Sequence, residues 1–278
     1  MNTSGSARVR SILLYTVLIT HAGIIAFPCL WILVSAFKNA RELATSPWGL
    51  PPVWRFENFV QAWTTSRIPA YFLNTAFVIL IVLVVGVGSA SGIAFVLSRF
   101  RFAGRMPLYY FFIAGLMIPL HAVVIPIYDL AIRLGSLNSL VFLGLVYAAF
   151  YLPLSVLILT SFMSEIPREI EESATVDGCS TWGLYWRVAM PLTRDGLISV
   201  VILTSLYAWN ELLLALVLIS KPDRKTISVG MRTFFAENYV EPTLMLAGCI
   251  LALIPIMLLY TVLQERVIKG MTVGALRG

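Results

Sequence analysis

The sequence predicts an all-α integral membrane protein with six transmembrane helices. Three observations lead there. Hydrophobic residues make up 59% of the 278 residues and charged residues 12%, with a mean hydropathy of +0.87. A soluble domain carries about twice that charged fraction. The apolar runs are continuous and do not alternate, which selects helices over a barrel, the two structures that satisfy their backbone hydrogen bonds in lipid. Six windows reach the roughly 20 apolar residues a spanning helix needs. They are Ser11–Ala36, Phe72–Leu97, Pro107–Ile127, Ser139–Met163, Leu197–Ile219 and Leu244–Leu263.

The first window follows Arg8 and Arg10. It is longer than the signal-peptide core of about 7–15 residues, so it reads as a retained span. The 38–71 connection is rich in Pro and Trp, and Asn58–Trp63 is expected to form a short helix. Its tryptophans suit the membrane–water interface. In the second window Gly88 and Gly92 form a GxxxG pair beside Gly86. Such a pair lets helices approach closely, here first of all within the chain, with a partner subunit as the alternative. Pro28, Pro119, Pro126, Pro153 and Pro255 lie in the windows and can kink or break them.

Arg99, Arg101 and Arg105 crowd the 98–106 connection, whereas 128–138 holds only Arg133. Both termini, the 98–106 loop and the 164–196 segment are therefore placed in the cytoplasm. The 220–243 loop, with Lys221, Arg224, Lys225 and Arg232, runs against that bias. The net charge of +6 is spread over loops and termini, which argues against a nucleic-acid interface. Cys29, Cys179 and Cys249 have no metal-ligand or disulfide-framework spacing. No metal site and no catalytic constellation are expected.

Between the fourth and fifth windows lies a polar island that includes Glu169, Glu171, Glu172 and Asp177. Pro167 suits a first helical turn, and the glutamates then sit where the helix dipole favours negative charge. Ile170 and Ala174 share one face. Ser173 and Ala174 are small enough for another backbone to come near, and Gly178 can end the helix sharply. A second amphipathic stretch through Trp182, Tyr185 and Trp186 leads to Pro191, where the chain re-enters the membrane. The local expectation is a helix–turn–helix on the membrane surface.

Glu172-Ser173-Ala174, Asp177-Gly178-Cys179 and Val188-Ala189-Met190-Pro191 resemble the EAA motif of permease subunits of binding-protein-dependent ABC importers. Ser173, Cys179 and Met190 replace Ala, Ala and Leu of that pattern. Tyr207-Ala208-Trp209-Asn210-Glu211-Leu212 is similar to the fifth-span signature of the sugar-type permeases. The tail from Gly270 to Gly278, and Leu50-Pro51 with Phe56-Glu57-Asn58-Phe59, resemble the maltose-permease G-type subunits.

The resemblance implies a type I importer permease, residues 1–278 forming one transmembrane domain in a bacterial-type cytoplasmic (inner) membrane. Segment 164–196 would be its coupling helix. Glu172, Ser173, Ala174, Asp177, Gly178, Cys179 and Pro191 would then contact an ATPase subunit, and Gly274, Arg277 and Gly278 would lie near it. The implied partners are a second, different permease, two ATP-binding subunits and an extracytoplasmic substrate-binding protein, with lipid around the spans. ATP and Mg would be used by the ATPases, since this chain has no GxxxxGK[ST] and is not itself an enzyme. The expected cargo is a sugar. The alternatives are glycerol phosphate, a polyamine or an amino acid moved by the same mechanism, or an independent secondary transporter. Asn210 and Glu211 are read as lying near the start of the fifth span. As polar groups inside a membrane segment they are candidates for the translocation path.

Overall fold

A computed structural model describes the backbone of residues 3–275, with side chains from Arg10 to Thr261 except at positions 65, 259 and 260. Among the described residues all regular structure is helical. The helices are α1 (Thr3–Ser35), α2 (Ala40–Thr45), α3 (Glu57–Thr65), α4 (Ile68–Arg99), α5 (Arg105–Gly115), α6 (Leu120–Arg133) and α7 (Leu140–Ser164). They continue with α8 (Arg168–Val176), α9 (Thr181–Leu192), α10 (Arg194–Asn210), α11 (Leu213–Leu218), α12 (Ile227–Glu237) and α13 (Pro242–Ala275). Contacts divide the chain into two units, one of residues 1–66 and 233–253, the other of 67–232 and 254–278.

Among the described residues three helices are long and apolar enough to cross a membrane: residues 10–35 of α1, α4 and α7. Two bent pairs bring the number to five if each pair is one span. The third expected window is one of these. It is not a single helix but α5 and α6, which meet at 93°. The cause is Pro119, which lacks an N–H and pushes Ile118 away from helical geometry; α5 closes on short turns at Leu116 and Met117. Pro28, Pro126, Pro153 and Pro255 lie inside continuous helices. The fifth window also breaks, at Glu211 and Leu212. The sixth lies within α13.

In the first unit the connection after α1 is bound by backbone acceptors. Lys38, only 1% exposed, donates from Nζ to the carbonyls of Ser46 at 2.9 Å and Pro47 at 3.1 Å. Asn58 Nδ2 donates to the carbonyls of Ala36 and Lys38 at 2.7 and 2.9 Å. Asn39 and Glu42 form a capping box at the start of α2. The Asn39 backbone N–H, helped by Arg55, holds the half-buried Glu42 carboxyl below its ordinary value. A depressed carboxylate pKa stabilises the fold above the unfolded value, and that contribution disappears as pH falls through the folded one. The helix expected at Asn58–Trp63 is α3.

The second unit is built on α4 against α7. Glycines make the approach possible: a Cβ on Gly86 would lie 3.2 Å from Ala148, and one on Gly144 would lie 2.8 Å from Ile81 Cβ. Close van der Waals packing of this kind holds membrane helices together, because lipid is as apolar as the helix faces. Gly88 and Gly92, expected to serve packing within the chain, do not. A Cβ at either meets nothing within 4 Å, and both line an open groove. Gly86 makes the contact instead, because it faces α7. One core gathers Val82, Leu143, Tyr147 and Leu214; another gathers Ala94, Leu159, Ala189 and Val200.

These contacts predict opposite responses to a single methyl group. Gly230→Ala would place Cβ 2.1 Å from the ring of buried Tyr71. It should cost about 1–3 kcal/mol through overpacking. Gly88→Ala should be neutral or mildly stabilising, since alanine is the better helix former. Thermal melting of the purified protein in detergent checks the pair.

Candidate functional site

The polar island folds as expected. Pro167 precedes α8, and Glu169 and Glu171 lie in its first turn. Its end is a Schellman cap: Gly178 N donates to Thr175 O at 3.0 Å and Cys179 N to Ala174 O at 2.9 Å. Gly178 takes φ +84°, a left-handed conformation that glycine adopts without steric cost. Ser180 then caps α9 by accepting from Gly183 N at 3.2 Å. Glu172, Ser173, Asp177 and Gly178 are exposed, and Ala174 and Cys179 are half-buried. Pro191 is exposed in the last turn of α9, ahead of a 74° bend into α10. Apolar Ile170 and Val176 are also open to solvent, at 43% and 88% exposure.

An ion pair that the sequence did not announce ties this elbow to the bundle. Arg99, the last residue of α4, places Nε 2.6 Å from Glu171 Oε1. Its Nη2 donates to Met163 O in the last turn of α7, and its Nη1 to Ile166 O at 3.2 Å in the connection that follows. One guanidinium thus joins α4, α7 and α8. Its side chain is 7% exposed and that of Glu171 15%. On the other side of the elbow Tyr185 and Ser91 share a hydroxyl–hydroxyl bond of 2.7 Å, which fixes α9 to α4. The paired charges are an arginine read only for topology and one glutamate among several, and no sequence spacing links them.

The second polar cluster is the break in the fifth window. Asn210 and Glu211 do not lie near the start of a span, as expected. They stand at the C-terminal end of α10, where the helix stops and α11 begins. The break has a side-chain cause. The Glu211 carboxyl accepts from Leu214 N at 2.8 Å, from Ala215 N at 3.1 Å and from the hydroxyl of Tyr147. A side chain that captures backbone N–H groups offers the chain an alternative to continuing the helix. Ser228 Oγ donates to Glu211 O at 2.5 Å. Glu211 is 8% exposed and Tyr147 1%. Trp209 packs edge-on against Phe72, with centroids 5.5 Å apart.

Asn210, by contrast, is exposed. It borders a cavity of about 520 Å³ with Phe150, Tyr151, Tyr207 and Glu211. The rings of Tyr151 and Tyr207 lie 5.7 Å apart at 37°. The structure therefore separates the two neighbours: Glu211 is committed to the fold, while Asn210 faces open space. Of the tail residues, Gly274 falls in the last turn of α13, its surroundings outside the described residues. Arg277 and Gly278 lie outside the described residues altogether.

Comparison with known proteins supplies the family. The family model for the binding-protein-dependent transport system inner membrane component matches residues 83–273. The chain is 33% identical over 265 residues to a diacetylchitobiose uptake system permease protein of Streptomyces coelicolor, covering 95% of this chain and 88% of that one. It is 28% identical to the maltodextrin transport system permease protein of Bacillus subtilis, across the whole of both chains. The fold matches a solved bacterial ABC transporter involved in alginate import with TM-score 0.81 at 20% identity, over 94% of this chain and 97% of that one. The apolar helices, the capped elbow and this family match agree, and the chain belongs to the family of binding-protein-dependent transport system inner membrane components.

Proposed function

We propose that this chain is the permease subunit of an ATP-driven importer whose cargo is a saccharide handed over by an extracytoplasmic binding protein. The observation that carries the mechanism is α8. It is a short helix with apolar Ile170 and Val176 exposed, ended by a glycine cap and held to two long helices through Arg99. A surface helix of this kind can seat in a cleft of another protein and pass its movement to the bundle. We assign α8 with the following turn as the coupling helix, with Glu172, Ser173, Ala174, Asp177, Gly178, Cys179 and Pro191 facing an ATPase subunit. Gly274, Arg277 and Gly278 would approach the same ATPase pair.

The cargo class follows from the relatives. Those named for a cargo include permeases for diacetylchitobiose, arabinooligosaccharides and maltodextrin. One structural neighbour is an alginate transporter in complex with a pentasaccharide-bound periplasmic protein. We read residues 1–278 as one permease domain of six crossings: α1, α4, α5–α6, α7, α10–α11 and α13. Both termini and α8 lie on the cytoplasmic side of a bacterial inner membrane, where the arginines after α4 also collect. A second permease, two ATPases using ATP and Mg, and the binding protein complete the assembly.

The test is co-purification and uptake. The chain should bring down an ATP-binding subunit and a second permease. Gly178→Val puts a β-branched residue at φ +84°, a strain of about 2 kcal/mol, which corresponds to about tenfold or more in a local equilibrium. Uptake should fall accordingly. A chain that purifies alone and keeps full uptake with Gly178→Val would sink the coupling-helix assignment.

A further inference from the structure

The cavity in front of the α10–α11 break has a composition that the family assignment does not explain. We propose that it is a saccharide-contacting station supplied by this chain. The Tyr151 and Tyr207 rings would form its stacking surface, and the Asn210 amide would bind a hydroxyl. Glu211 would hold the wall in shape without touching cargo. This rests on the saccharide-importer reading and adds where the cargo meets the permease.

The cavity wall carries polar groups that the fold leaves unused. Among the described residues, the hydroxyls of Tyr151 and Tyr207 and the Oδ1 of Asn210 have no hydrogen-bond partner; Asn210 donates only from Nδ2, to Leu206 O at 2.9 Å. All three residues line one cavity. Polar groups at membrane depth face a bundle interior or a watered cavity rather than lipid. The remaining lining is mainly aliphatic and aromatic, the composition of a small-molecule site in which a few polar groups set orientation. Its volume of about 520 Å³ lies in the range of roughly 300–1,000 Å³ typical of such sites.

Charge then selects the ligand class. No Lys, Arg or His lines the cavity, so nothing there neutralises a phosphate or another anion. The one carboxyl group already accepts three hydrogen bonds, from Tyr147, Leu214 and Ala215. It offers little to a polyamine. A neutral sugar fits what remains. Its apolar C–H face lies on an aromatic ring, and its hydroxyls meet phenol and amide groups that act as both donors and acceptors.

The test uses the complete importer in lipid nanodiscs, with Cys29, Cys179 and Cys249 replaced by serine. Tyr207→Cys and, separately, Asn210→Cys are treated with a charged, membrane-impermeant thiol reagent. The probes are diacetylchitobiose, maltotriose and arabinotriose, with glycerol 3-phosphate as the anionic control. The thiol should react at both positions. One of the saccharides should slow the reaction about tenfold at about ten times its Kd, as simple occupancy requires; the control should not. A thiol that fails to react at either position, because lipid or a partner helix covers it, overturns the proposal. Reaction that no saccharide slows overturns it too. ATP hydrolysis measured on the same samples separates the causes. If a saccharide with binding protein stimulates hydrolysis yet leaves the thiol unprotected, the station is wrong and the importer reading stands. If no saccharide stimulates hydrolysis or protects the thiol, the cargo class falls with it.

Discussion

Arg99→Ala is expected to uncouple transport from ATP hydrolysis in the reconstituted importer. The side chain ion-pairs with Glu171 of α8 and donates to Met163 O at the end of α7 and to Ile166 O just beyond it, from a position that is only 7% exposed. Removing it strands a partly buried carboxylate and two carbonyls. Breaking a buried pair by deleting one partner costs about 3 kcal/mol or more, roughly a hundredfold in the local equilibrium that holds α8 to the bundle. Movement of α8 would then no longer drive α4 and α7. Uptake should fall by at least about tenfold while basal ATP hydrolysis continues.

Glu171→Ala should be milder, because the guanidinium keeps its two carbonyl acceptors. Arg99→Lys should fall between, since an ammonium lacks the planar fork that reaches three acceptors at once. The double substitution should be no worse than Arg99→Ala alone, the signature of two residues acting as one joint. The measurement is cargo moved per ATP in proteoliposomes. Parental stoichiometry in Arg99→Ala would show that the joint does not transmit.

Glu211→Ala should have the largest effect on stability. Its carboxyl satisfies Leu214 N, Ala215 N and the Tyr147 hydroxyl in a site only 8% exposed. Each buried donor left without an acceptor costs about 1–3 kcal/mol, and three are released together. The start of α11 should fray, with a lower melting temperature and poor recovery of the assembled complex. Glu211→Gln keeps one acceptor oxygen and should lose less. Tyr147→Phe removes one donor together with its need for a partner, so it should cost about 1 kcal/mol. Scanning fluorimetry of the purified complex ranks the three. A Glu211→Ala protein that melts with the parent would place Glu211 among the cargo-facing residues after all.

These predictions rest on residues that were unequally legible. The elbow could be read because its signals are local. Pro167 marks a helix start and Gly178 a sharp end, both within one short segment; the Ser180 cap that opens α9 came to light only in the structure. The break at Pro119 belongs to the same class, since proline acts on its immediate neighbours. The break at Glu211 was hidden. An acidic residue in an apolar window marks a functional candidate, but the window alone does not say whether the carboxyl faces cargo or its own backbone. Gly88 and Gly92 misled for a related reason. A GxxxG spacing states that close approach is permitted, not which neighbour accepts it, and here Gly86 faces Ala148 while the pair faces a groove.

The sequence by itself determined the helical membrane class and the capped polar elbow, because hydropathy and turn chemistry act over a few neighbouring residues. Only the tertiary structure decided that Arg99 meets Glu171, that Tyr147 holds Glu211, and that Tyr151, Tyr207 and Asn210 share one cavity. Those meetings join residues far apart in the chain. They depend on how α4, α7 and α10 pack, which many apolar sequences would permit and no local pattern specifies.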